Sequence, residues 1–218
     1  MKFTPFYALA VPLVLITTTD TPPYSYRDAD TGEIVGLEVD IARDAATSLG
    51  RELVVRKEKF ADLLPLVNAG KADMAASGIT ITEGRARTVD FSIPYAMEGG
   101  MFLYRAGEPM PTMIRAERMR VGTIDASTYD LFLTRHGIDP IRFSSYPLAV
   151  AALEEGRLDT VFFDGCGVRE TVAKSGGRFL ASDFQTRENY GIAVQKGNET
   201  LKAAINRAIL SRKKKGGR

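Results

Sequence analysis

The chain has 218 residues, of which 44% are hydrophobic and 26% are charged, and its formal net charge is +2. This composition is ordinary for a globular protein with one large or two small domains, and it gives no reason to expect a nucleic-acid partner. The single cysteine, Cys166, and the single histidine, His136, exclude an intramolecular disulfide and a Cys/His metal cluster. We expect no metal and no cofactor, and we expect His136 at the surface near a helix C-terminus.

The first residues form an apolar run, FTPFYALAVPLVLI, behind Lys2. A shortened signal peptide is one explanation, whereas the run is too short and too interrupted by proline to cross a membrane. The segment LVLITT, which overlaps the end of the run, has the composition of a buried strand. We therefore predict residues 1–12 as an N-terminal extension or signal remnant, and we place the first strand at residue 13.

Strand-like segments then alternate with helical patterns, which indicates an α/β fold. A hairpin is predicted in PYSYRDADTGEIVGL, because Asp28, Asp30 and Gly32 are turn residues. Helices are predicted in VDIARDAATSLG and FADLLPLVNAG, and strands in ELVVRK and ADMAAS. The second half continues with the strand MRVGTI, the helices STYDLFLTRHG and YPLAVAALEEG, and the strand RLDTVFFDG.

The two halves of the chain contain a similar junction between a helix and the strand that follows it. NAGKADMAASG and EEGRLDTVFFDG share a helix end, a glycine, a basic residue and an aspartate before a strand, which indicates either two similar lobes or convergent junctions. Extended segments near residues 97 and 188 predict that the chain crosses between the lobes once in each direction. The lobes are accordingly predicted at residues 13–97 plus 188–211 and at residues 98–187, followed by a basic disordered tail at 212–218.

A candidate anion site follows the strand ADMAAS. Thr82 is predicted as a helix N-cap, which places Arg85 in the first helical turn. A helix N-terminus and a guanidinium both favour an anion, and Arg85 can bind a carboxylate through two parallel hydrogen bonds. The hydroxyls of Ser77 and Thr80 supply further donors to the same anion. The alternative is that Arg85 is a surface ion-pair partner.

A candidate cation site lies at the end of the strand TVFF. Asp164 follows this strand, and ligands of α/β sheets bind beyond the carboxyl ends of strands. With Arg85 on one lobe and Asp164 on the other, the cleft would suit a zwitterion such as an α-amino acid. The alternative is that Asp164 only caps the next helix.

Several segments together resemble one known family, the polar amino-acid family of periplasmic solute-binding proteins. These segments are PPYSYRDADTGEIVGLEVDIA, GKADMAASGITITEGRARTVDFSIPY, VGTIDASTYDLF, GRLDTVFFD and NYGIAVQKGN, and they span residues 13 to 211 in the expected order. The ligand-binding domains of ionotropic glutamate receptors share this fold. The resemblance implies a type II periplasmic-binding-protein fold, with two lobes that are each a mixed sheet flanked by helices, and with two crossover strands as a hinge.

The resemblance also implies roles for individual residues in ligand binding. It assigns the α-carboxylate of an amino acid to Arg85, assisted by Thr80 and by Ser127 or Thr128, and it assigns the α-ammonium to the Gly78 carbonyl, Thr80 and Asp164. Phe60 and Tyr24 match aromatic walls of the family's pocket. Asp20 takes the place of an acidic residue that some binders of basic amino acids use.

The sequence departs from the family pattern at the lid and at the C-terminus. Thr21 stands where many members carry an aromatic lid, and the chain ends in lysines where members usually have another helix. Ile124 is predicted at the side-chain end of the pocket with Phe60 and with Met97 or Cys166. The apolar Ile124 disfavours an acidic ligand such as glutamate, and Asp20, if it points inward, would allow a basic or polar side chain.

The implied function is capture of an amino acid outside the cytoplasm by hinge closure. The expected location is periplasmic or extracytoplasmic, the expected partner is the membrane permease of an ABC transporter, and the chain is expected to be a monomer. One alternative is a dehydratase-type enzyme on the same fold, with Glu98 or Glu188 as a general acid. The other is the ligand-binding sensor domain of a receptor.

Overall fold

The structure is a computed structural model that describes residues 11–216, so most of the predicted N-terminal extension lies outside the described residues. Its helices are α1 (Leu37–Ser48), α2 (Phe60–Asn68), α3 (Glu83–Ala86), α4 (Met113–Ala116), α5 (Thr128–Arg135), α6 (Tyr146–Glu154), α7 (Gly165–Lys174) and α8 (Glu199–Gly216). Its strands are β1 (Leu13–Thr17), β2 (Asp20–Thr21), β3 (Ser25–Arg27), β4 (Ile34–Val35), β5 (Leu53–Lys57), β6 (Met74–Ala75), β7 (Val89–Phe91), β8 (Ala96–Glu98), β9 (Gly100–Arg105), β10 (Val121–Ile124), β11 (Ile141–Phe143), β12 (Thr160–Asp164), β13 (Phe179–Ala181), β14 (Glu188–Tyr190) and β15 (Ala193–Gln195). Within residues 11–216, no helix has the length and apolar character that a membrane span requires.

The first lobe is built on a sheet with the strand order β5-β1-β6-β15-β7. Strand β1 is parallel to β5 and β6, whereas β15 is antiparallel to β6 and β7. Side chains alternate along β1, so Leu13 and Leu15 pack with α1 and α8, while Ile16 packs with α2 on the opposite face. The small three-stranded sheet β2-β3-β4 contains the predicted hairpin.

The second lobe is built on a sheet with the strand order β11-β10-β12-β9-β13. Here β10 is parallel to β11 and β12, and β9 is antiparallel to β12 and β13. Phe102 and Phe162 are fully buried at its centre, with ring centroids 4.7 Å apart. The two sheets thus have the same arrangement of parallel and antiparallel pairs, which favours two similar lobes over convergent junctions.

The two lobes are joined by a short antiparallel pair of strands, β8 and β14. In its register Glu98 lies opposite Glu188, and Ala96 lies opposite Tyr190. This pair supplies the two predicted crossover strands and, with the two mixed sheets, confirms the predicted fold class. The lobe boundaries at residues 97/98 and 187/188 stay predictions.

The C-terminal helix α8 differs from the sequence prediction. It continues to Gly216, so residues 212–216 extend a helix where a disordered tail was predicted. Arg212 explains the continuation, because its guanidinium lies 3.3 Å from a carboxylate oxygen of Asp40 and 2.7 Å from one of Asp44, both on α1.

Candidate functional site

A cavity lies between the two sheets, beyond the carboxyl ends of strands β1, β6, β10, β11 and β12. This is where α/β sheets bind ligands. Eight of the ten residues predicted for the site line the cavity: Asp20, Phe60, Ser77, Gly78, Thr80, Ser127, Thr128 and Asp164. The structure therefore brings these residues of both lobes together in one place.

The first lobe contributes the turn that follows β6. The amide of Gly78 donates to Oε1 of Glu38 at 2.8 Å, and the hydroxyls of Ser77 and Thr18 lie 2.6 Å apart. Gly78 has a φ of 60°, and an added Cβ would meet an Asp164 oxygen at 3.3 Å. Glycine therefore permits both the turn and the close approach of the two lobes.

Glu38 holds this turn in place by accepting a hydrogen bond from Gly78, and we did not predict this role from the sequence. Its carboxylate is completely buried in α1 and also accepts hydrogen bonds from Ser25 and Tyr95. Burial raises the pKa of Glu38, although the three hydrogen bonds oppose the shift. Its pattern in the sequence is that of an ordinary acidic residue in a first helical turn, so nothing there indicated its burial.

The second lobe contributes Asp164, which has two roles. One carboxylate oxygen caps α7 by accepting from the amide of Cys166 at 2.9 Å, and the other accepts from the hydroxyl of Tyr190. Burial raises the pKa of Asp164 to about 6, and these hydrogen bonds oppose the rise. Asp164 therefore caps the next helix, which was the alternative interpretation, and also lines the cavity.

Ser127 and Thr128 begin helix α5 on the same lobe. The Ser127 hydroxyl accepts from the amide of Asp130 at 3.1 Å as the N-cap, and Thr128 is the first helical residue. The Thr128 hydroxyl oxygen lies 3.2 Å from that of Thr80, so the two lobes meet at this pair. Both hydroxyls also donate to Oε2 of Glu188, at 2.5 Å from Thr80 and 2.6 Å from Thr128.

Arg85 lies beside the cavity and is not part of its lining. The Thr82 hydroxyl accepts from the Arg85 amide at 3.2 Å, which confirms the predicted N-cap. The guanidinium donates to the carbonyl of Thr80 at 3.0 Å and, across the cleft, to the carbonyl of Ala126 at 3.2 Å. It lies 5.7 Å from the ring centroid of Phe60. Burial lowers the pKa of Arg85, and the nearby Glu188 carboxylate opposes this effect.

The rest of the cavity lining combines apolar and polar side chains. Phe60, Ile124 and Phe163 supply apolar surface, while Asp20 and the serines of FSSYP supply polar groups. An Asp20 carboxylate oxygen accepts from the amide of Tyr146 at 3.2 Å, which is a further contact between the lobes. Thr21, which stands at the lid position of the family, lines the cavity, and the lining residues that we did not predict from the sequence are Thr18, Tyr129, Ser144, Ser145 and Phe163.

Three residues predicted near the pocket lie elsewhere. Tyr24 is buried behind the cavity lining, where it packs edge-on against Tyr95 and Tyr190 and donates to Glu98 at 3.0 Å. Met97 is 62% exposed, and Cys166 is buried outside the cavity lining. None of these three residues therefore lines the cavity.

This geometry defines a two-lobed binding protein whose cleft presents hydroxyls, backbone groups and a buried carboxylate to a small polar solute. Within the part of the chain that the structure describes, no cluster of three His, Cys, Asp or Glu residues is arranged to hold a metal. The chain belongs to family 3 of the bacterial extracellular solute-binding proteins, whose pattern matches residues 13–217. The family membership confirms the resemblance stated above.

Curated relatives match most of the chain. The L-cystine-binding protein TcyJ of Escherichia coli strain K12 is 28% identical over 200 residues, which cover 89% of this chain and 75% of that protein. The L-arginine-binding protein of Pseudomonas aeruginosa is 28% identical over 218 residues, which cover 94% of this chain and 84% of that protein.

Solved structures match the fold closely. The P235GK mutant of ArgBP from T. maritima superposes with a TM-score of 0.87 at 33% identity, covering 94% of this chain and 90% of that one. An ancestral arginine-binding protein bound to arginine has a TM-score of 0.86 at 30% identity, with coverage of 94% and 93%.

Proposed function

We propose that this chain binds a free α-amino acid with a polar or basic side chain in the interlobe cleft and delivers it to an ABC-type importer. The observation that carries the proposal is the cavity that gathers eight predicted ligand-binding residues from both lobes, including the buried carboxylate of Asp164. The relatives named above, described as binding L-cystine and L-arginine, support an amino acid as the class of ligand.

The proposed binding mode places the two poles of the amino acid on different groups. The α-ammonium binds the Asp164 carboxylate and the Gly78 carbonyl, which are both at the cavity wall. The α-carboxylate binds Arg85, which reaches it by exchanging its contact with the Ala126 carbonyl for the ligand. The ligand side chain then extends along Phe60 towards Asp20.

The transport role is proposed together with its setting. The description of the family as extracellular supports capture outside the cytoplasm. A membrane permease as partner and a monomeric state are proposed with it. We propose no catalytic role, because Glu98 and Glu188 do not line the cavity and both carboxylates are already hydrogen-bonded to side chains of the two lobes.

A thermal-shift screen of the twenty common amino acids and cystine tests this proposal. A ligand at 100 times its dissociation constant stabilises a protein by about 2.7 kcal/mol, which is readily measured. We expect a polar or basic amino acid to raise the melting temperature and glutamate to leave it unchanged. If no amino acid changes the melting temperature, the proposed ligand class is wrong.

A further inference from the structure

Glu188 lies on the hinge strand β14 and is hydrogen-bonded to a side chain from each lobe. Its Oε2 atom accepts from Thr80 of the first lobe at 2.5 Å and from Thr128 of the second lobe at 2.6 Å. The other carboxylate oxygen accepts from Thr186 at 3.1 Å, and the residue is only 8% exposed. One carboxylate oxygen is therefore shared between the two lobes.

The same two hydroxyls line the ligand cavity, whereas Glu188 lies on their other side. A threonine hydroxyl has one proton to donate. Because both protons are directed to Glu188, Thr80 and Thr128 present only acceptor lone pairs to the cavity. A carboxylate in the cavity can accept a hydrogen bond from either hydroxyl only after the contact with Glu188 is broken.

We propose that Glu188 competes with the ligand's carboxylate for the hydroxyl protons of Thr80 and Thr128, and that this competition sets the affinity of the cleft; the inference rests on the proposed function. The bridge through Glu188 stabilises the protein without amino acid and is broken when the amino acid binds. Removing the bridge therefore destabilises only the ligand-free protein, and this strengthens the binding of the amino acid.

Isothermal titration calorimetry with L-arginine, and with its decarboxylated amine agmatine, tests the competition. In Glu188→Ala we expect the Kd for L-arginine to fall roughly tenfold, on the scale of one hydrogen bond to a charged group. Glu188→Gln keeps the size of the side chain and should give a smaller gain. Agmatine should gain nothing, because it has no carboxylate to compete for the protons.

Glu83→Ala is the matched control, because it removes one exposed negative charge two residues from Arg85. This variant should bind L-arginine like the wild type. The proposal is overturned if Glu188→Ala binds L-arginine no more tightly than the wild type, or if agmatine or the Glu83→Ala variant shows the same gain.

Small-angle X-ray scattering without any amino acid tests the bridge independently of the ligand. Glu188→Ala should have a larger radius of gyration than the wild type, while Glu83→Ala should match it, with melting curves showing that all variants are folded. If the wild type binds no amino acid, the proposed function fails, but scattering still decides the bridge. An unchanged radius of gyration in Glu188→Ala would overturn it.

Discussion

At the scale of single residues, Arg85 is the group on which ligand binding is proposed to depend most. Its guanidinium contacts backbone carbonyls of both lobes beside the cavity, and its side chain is half-buried. We predict that Arg85→Ala weakens amino-acid binding by about 2–5 kcal/mol, the range for truncating one partner of a buried charge pair. Titration calorimetry measures this loss.

The neighbouring Arg87 provides the control for this prediction. It is exposed at the end of the same short helix, α3, so Arg87→Ala removes the same charge away from the cleft. We expect its affinity to remain within the error of the wild type. Equal losses in both variants would show a general electrostatic effect and contradict a direct contact with the ligand.

We expect Asp164 to make ligand binding dependent on pH. The ionised carboxylate is required to bind an α-ammonium, and burial raises the pKa of Asp164 to about 6. We predict that affinity falls as the pH is lowered through this range, because the site then becomes neutral. Asp164→Asn should bind more weakly at pH 8 and should lose this pH dependence, which calorimetry between pH 5 and pH 8 would reveal.

The raised pKa of Asp164 makes the folded protein more stable at low pH, which is opposite to its effect on ligand affinity. Between the ordinary pKa of 3.8 and the value of about 6, the folded protein holds a proton on Asp164 that the unfolded chain does not hold. Stability from this group is therefore fully present below pH 4 and is lost as the pH rises to 6, by up to about 3 kcal/mol. Urea unfolding of Asp164→Asn should lack this loss, and an identical pH profile would contradict the assignment.

At the scale of elements, two four-residue helices begin in the same way but have different positions. Thr82 caps α3 by accepting from the Arg85 amide, and Thr112 caps α4 by accepting from the Arg115 amide. We predict that Thr82→Ala and Thr112→Ala each lower the free energy of unfolding by about 1 kcal/mol. Only Thr82→Ala should also weaken amino-acid binding, because α3 carries Arg85. Weaker binding in both variants would contradict this distinction.

The elements were largely predictable because their signals are local. Apolar segments such as LVLITT and helix ends such as Gly50 specify strands and helices without information from distant parts of the chain. Ser144 and Ser145 were missed because no strand was predicted at β11 (Ile141–Phe143), so the rule for strand carboxyl ends could not be applied to them. Glu38 could not be found in this way, since its burial depends on Ser25, Gly78 and Tyr95 from three separate segments.

At the scale of the whole molecule, the arrangement of the lobes depends on contacts between distant segments. The sequence predicted that Arg85 and Asp164 belong to different lobes, but it could not predict that Arg85 would contact the Ala126 carbonyl or that Tyr24 would pack behind the cavity. The Arg85 contact depends on the angle between the lobes, and the place of Tyr24 depends on Tyr95 and Tyr190 from distant segments of its own lobe; no local pattern specifies either. The paired hinge strands place Glu98 and Glu188 opposite each other, and each carboxylate contacts both lobes.

The contacts of Glu98 lead to a prediction about opening of the cleft. Glu98 accepts from Tyr24 of the first lobe at 3.0 Å and forms an ion pair at 3.0 Å with Arg169 of the second. Unlike the Glu188 bridge, this contact uses no group that binds the ligand, so the closed form keeps it when an amino acid is bound. Without the contact the free protein can open, whereas the bound form has to stay closed and therefore loses more stability. We therefore predict that Arg169→Ala increases the radius of gyration and weakens amino-acid binding by up to about fivefold, the limit for a partly exposed ion pair.

A second arginine on the same lobe provides a control, because its ion pair can be removed without breaking a contact between the lobes. Arg178 pairs with Glu154 at 2.8 Å, and both residues belong to the second lobe. Arg178→Ala should therefore leave the radius of gyration and the affinity unchanged.

Because the Glu98 contact persists on binding while the Glu188 contact is exchanged, Arg169→Ala and Glu188→Ala should change affinity in opposite directions although both open the free protein. Scattering and calorimetry on both variants would contradict this account if their affinities moved in the same direction.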